Sequence, residues 1–67
     1  MNSEKIQNVA TVITATLEEE GMMPVVELKD YTNFEDQDIE LALDFLSQEK
    51  RVQLFPNGKV VNVMLVF

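Results

Sequence analysis

Apolar residues recur along this chain with two different periods, and the change from one to the other divides it into helices and a hairpin. Ile6, Val9, Ala10, Ile13 and Leu17 fall at three- and four-residue spacing, the pattern of one buried helix stripe. Asn2 or Ser3 stands where a side-chain oxygen caps the first turn, and Gly21 is placed to end the helix in the left-handed conformation. Val12, Thr11, Thr14 and Thr16 are β-branched, so tertiary packing must hold this helix, and a strand over VATVITATL is the competing reading.

Met22 and Met23 then form a short extended segment, filling the core rather than building a binding surface, and Pro24 opens a second helix over VVELKDY at a position whose amide would be unpaired anyway. Val25 and Leu28 face the core, Tyr31, Thr32 and Asn33 make a turn, and Phe34 packs before the next element. The stretch from Glu35 to Lys50 predicts a third helix, with Ile39, Ala42, Leu43 and Leu46 as its core stripe. Leu41 and Phe45 form a second apolar pair rotated from that stripe, either widening the core contact or exposing a surface for another protein.

From Val52 the period becomes that of strands. Asn57 and Gly58 predict a two-residue hairpin turn, which pairs Phe55 with Val60, Leu54 with Val61, Gln53 with Asn62 and Val52 with Val63. Val52, Leu54, Val61 and Val63 then share one face, while Met64, Leu65, Val66 and Phe67 run past the partner strand, apolar on both sides. An exposed apolar edge invites pairing with another chain. Either the segment around Met22 and Met23 covers it, or a second copy does.

Taken together, Leu28, Thr32, the helix carrying Ala42, Leu43 and Leu46, and Val52 entering the hairpin resemble the run from second helix to wing in the winged helix-turn-helix family, and in particular its very small, functionally uncharacterised bacterial members. The resemblance spans nearly the whole chain. It implies an α+β fold of three helices with a C-terminal β-hairpin wing and a short strand after the first helix, as a single domain over residues 1–67. In that family the third helix enters the DNA major groove and the wing touches the backbone.

Charge alters what the resemblance implies. Twelve acids face five bases, for a net charge of −7, and there is no histidine or cysteine. Nucleic-acid binding draws on Lys and Arg displacing counterions, and the whole cationic inventory is Lys5, Lys29, Lys50, Arg51 and Lys59. The positions expected to face DNA are Glu35, Asp36, Gln37, Glu40 and Asp44, where carboxylates would meet phosphates. Asp36 and Asp38 suit the positive end of their helix, whereas Glu18, Glu19 and Glu20 sit at a negative end, as a solvated terminus or a dock for a basic partner or cation.

No nucleophile and base pair stands out, no glycine-rich phosphate loop exists, and NFEDQDIE lacks the glycine and terminal glutamate of an EF-hand loop. The chain is therefore expected to be no enzyme, with no cofactor and no metal site. Nothing in it approaches a membrane span or a signal peptide, so a soluble cytoplasmic protein is expected. A domain of 67 residues is marginal alone, which favours self-association. The first reading is thus a protein-interaction module, homodimeric through Phe45, Met64, Leu65, Val66 and Phe67. The alternative is a transcriptional regulator that meets the DNA backbone through Lys50, Arg51 and Lys59, taken to gather near one edge. An acidic decoy for another protein's DNA site would also account for the charge.

Overall fold

The fold was derived from a computed structural model that describes residues 3–66. Along the chain run α1 (Ser3–Glu20), β1 (Met23–Pro24), α2 (Val25–Thr32), α3 (Asp36–Gln48), β2 (Val52–Asn57) and β3 (Val60–Leu65). The strands form one antiparallel sheet in the order β1-β3-β2, so the last strand is the central one.

The α1 stripe of Ile6, Val9, Ala10, Ile13 and Leu17 is buried as its spacing predicts, which excludes the strand reading. Its threonines are accommodated by a device that spacing does not reveal. The hydroxyls of Thr11, Thr14 and Thr16 each donate to the carbonyl four residues earlier, at 2.8–2.9 Å, so even the buried Thr16 leaves no polar atom unpaired. Gly21 ends the helix at φ +79°, its N–H donating to the Leu17 carbonyl at 2.8 Å. Of the two expected caps, Asn2 lies outside the described residues and Ser3 is already helical.

Pro24 sits one position earlier than expected, as the N-cap of α2 rather than its first helical residue, because its ψ of 144° keeps it extended and paired with Asn62 in the sheet. Tyr31 and Thr32 belong to α2 instead of a turn. The Thr32 hydroxyl donates to the Leu28 carbonyl, and the left-handed residue that stops the helix is Asn33, at φ 59°. Phe34 packs against the core immediately before the Glu35 N-cap of α3. Ile39, Ala42, Leu43 and Leu46 are buried, and Leu41 and Phe45 are half-buried against the same core.

The end of α3 is a complete Schellman motif. Arg51 N–H donates to the Leu46 carbonyl at 2.9 Å and Lys50 N–H to Ser47 at 3.0 Å, with Lys50 itself at φ 59° in the place glycine usually takes.

The hairpin departs from the expected pairing by two residues. Its loop is Gly58-Lys59, and the ladder pairs Asn57 with Val60, Pro56 with Val61, Leu54 with Val63 and Val52 with Leu65. The reason lies in Pro56. In the expected register Pro56 would flank the turn and have to donate an N–H it lacks. In the observed one Asn57 takes that place, and Gly58 supplies the positive φ of +66° at the first loop position. Val66 N–H donates to the Arg51 carbonyl, which sets the alternation of the ladder and leaves Pro56 at a pair whose amide positions point away from β3. A shift of two keeps every side chain on its expected face. It also brings Met64 and Leu65 opposite Gln53 and Val52, so they do not overrun their partner, while β1 covers the other edge of β3 at Asn62 and Val63. Phe67 lies outside the described residues.

One core joins all the elements. Ile13, Leu17, Leu28, Ile39, Leu46 and Val63 are its largest fully buried side chains. Burying each such side chain contributes about 1.5–3 kcal/mol before entropy is counted.

Candidate functional site

α3 is held on the core by Ile39, Ala42, Leu43 and Leu46, which turns the opposite stripe outward: Gln37, Glu40, Asp44, Ser47 and Gln48 are all exposed. This stripe carries two carboxylates and no base. Asp44 accepts a hydrogen bond from the Gln48 side chain at 3.2 Å, and neither Glu40 nor Asp44 is in a described ion pair.

The acids of the first turn behave differently. Asp38 Oδ2 lies 3.1 Å from Lys5 Nζ on α1, and Asp36 Oδ1 lies 3.5 Å from Lys29 Nζ on α2. Two of the five bases are therefore spent within the fold, tying α3 to both other helices at its N-terminal end.

Neither described ion pair involves Lys50, Arg51 or Lys59. The fold does not bring these three together. Lys50 and Arg51 stand at the base of the hairpin and Lys59 in its loop, separated by β2, whose six residues span about 20 Å at ~3.3 Å per residue.

Lys59 instead borders an open groove of about 440 Å³ between α2, α3 and the hairpin. Val25 and Val26 of α2, Leu43 of α3, Leu54 of β2 and Val61 of β3 are its apolar lining, with Lys29, Glu40, Asp44, Ser47 and Lys59 as the polar residues around them. Val26 is 65% exposed and Leu54 39%. Leu54 and Val61 share the sheet's core face with Val52 and Val63, but Leu54 is exposed and Val61 only half-buried, so both border the groove rather than join the core. Strand alternation places both residues on the core face and does not show how α2 and α3 pack against it, so it misses the groove.

The residues expected at a self-association surface divide. Phe45 and Leu65 are half-buried against the chain's own core, Met64 is half-buried, and Val66 is 47% exposed. Among the described residues no group of three or more carboxylates is placed to hold a metal ion, and no helix is long and apolar enough to cross a membrane.

No protein-family model matches the chain, and no curated protein matches it. Among solved structures it is similar to MarR from E. coli, in a crystal structure of a cysteine-to-serine mutant complexed with operator DNA. The two are 19% identical with a TM-score of 0.75, over 98% of this chain and 46% of that one. The fold is a winged helix-turn-helix. In its terms α2 and α3 form the helix-turn-helix, β2 and β3 the wing, and α3 holds the place of the recognition helix. The chain spans less than half of MarR's length, and at this identity the likeness is one of fold. Apart from Lys59 in the loop, the wing carries no charged residue in either strand.

Proposed function

We propose that this chain is a non-catalytic winged-helix module that works through protein contacts, self-association included, and does not read bases with α3. The observation that carries this reading is the outer stripe of α3, which offers Glu40 and Asp44 and no base where a recognition helix would meet DNA. Pairing of Asp36 and Asp38 with lysines lessens the charge of the first turn but leaves that stripe untouched. Self-association is assigned to Phe45, Met64, Leu65 and Val66, with Phe67 included on its sequence alone. Light scattering at high micromolar concentration tests it: a dimer that weakens on Leu65→Lys is expected, and a monomer at every concentration overturns the homodimer.

A DNA-binding regulator is the second reading, and the likeness to a protein held on operator DNA favours it. Its contacts would be to the backbone, through Lys50, Arg51 and Lys59. Three phosphate contacts give a slope of roughly −3 in log affinity against log salt. Titration with mixed-sequence duplex at low salt separates the readings. Binding with that slope, weakened and flattened by about 1 on Lys59→Gln, would establish the regulator, and no binding even at low salt removes it.

A further inference from the structure

We infer that the groove between α2, α3 and the wing docks an amphipathic helical segment of another protein, one whose apolar face is bordered by basic side chains. The inference deepens the interaction-module reading and rests on it. The lining of Val25, Val26, Leu43, Leu54 and Val61 comes from three parts of the fold around one concavity, and its volume of about 440 Å³ falls in the range of apolar clefts that bury a ligand. A helix meets such a groove through anchors at three- and four-residue spacing.

Charge complementarity selects the partner. Glu40 and Asp44 stand one turn apart on the α3 rim in no described ion pair, Lys29 on the opposite rim is already engaged by Asp36, and Lys59 in the hairpin loop is the one base left to the groove against these two acids. The chain as a whole carries −7, which favours a basic segment over an acidic one at this acidic rim. Because the α3 rim belongs to the stripe that a recognition helix turns to DNA, the segment and duplex DNA exclude each other.

The experiment titrates the full chain, labelled with 15N, with a synthetic amphipathic helix of leucine and lysine, and in parallel with the same helix carrying glutamate for lysine. Saturable binding of the lysine helix is expected, with amide shifts centred on Val26, Leu43, Leu54 and Val61, and none of the glutamate helix. Val26→Lys and the pair Glu40→Lys with Asp44→Lys alter exposed positions, so melting temperature should hold while affinity falls at least tenfold. Three results would overturn the inference: shifts centred on Glu18, Glu19 and Glu20, unchanged affinity in Val26→Lys, or equal binding of both helices. Absence of binding overturns the groove as well, yet leaves self-association standing on its own measurement by light scattering.

Discussion

Lys5 Nζ lies 3.1 Å from Asp38 Oδ2, linking the first turn of α1 to the first turn of α3, and the two ends of the pair differ in environment. The Asp38 side chain is 15% exposed and the Lys5 side chain 58%. Asp38 also stands at the positive end of the α3 dipole, in a first turn whose N-cap, Glu35, makes no side-chain capping bond. Asp38 therefore has two sources of stabilisation and Lys5 has one. Asp38→Ala is expected to cost about 1–1.5 kcal/mol and Lys5→Ala about 0.5. A double-mutant cycle by urea denaturation should return a coupling of about 0.5 kcal/mol, and equal single-mutant costs would refute the dipole contribution.

Lys50 holds a left-handed conformation that costs a side-chain-bearing residue roughly 1–2 kcal/mol, against about 0.5–1 kcal/mol of extra chain entropy lost by glycine. Lys50→Gly should thus stabilise the domain by about 0.5 kcal/mol and raise the melting temperature by roughly 2–4 °C. Under the regulator reading the same substitution removes one of three backbone contacts and flattens the salt slope by about 1.

At Gly58 a Cβ would meet nothing within 4 Å, so only the backbone resists substitution. Gly58→Ala is expected to cost about 1–2 kcal/mol, with the wing amides losing more hydrogen-exchange protection than those of α1.

The wing register is directly observable by NMR. Leu54 with Val63 and Val52 with Leu65 are pairs whose Cα atoms approach to about 4.5 Å, so their α protons should give strong cross-peaks. Cross-peaks linking Leu54 to Val61 and Val52 to Val63 would restore the pairing read from Asn57-Gly58.

Ile39 is fully buried at the centre of the core. Ile39→Ala is expected to cost about 3–4 kcal/mol. For a domain whose stability is ~0.05–0.15 kcal/mol per residue, that is a third or more of the total, which a lowered midpoint of urea denaturation would report.

Local pattern determined much of this protein. The 3.6-residue stripes of α1 and α3 are buried residue for residue, Gly21 stops α1, and the faces of β2 and β3 follow strict alternation, because each of these depends only on neighbours within a few positions. Even the misread hairpin kept its faces, since a shift of two preserves the side to which each residue points.

Pro56, which has no N–H to donate, set the register within the hairpin itself, at a pair with Val61 where no N–H is required. Tertiary structure decided what depends on distant partners. β1 covered one edge of β3 because α1 and α2 set Met23 and Pro24 beside it. Lys5 and Lys29 were committed to Asp38 and Asp36 by helix packing, while β2 parted Lys59 from Lys50 and Arg51 by its length. The groove, too, exists only where α2, α3 and the hairpin meet, residues that are far apart in sequence.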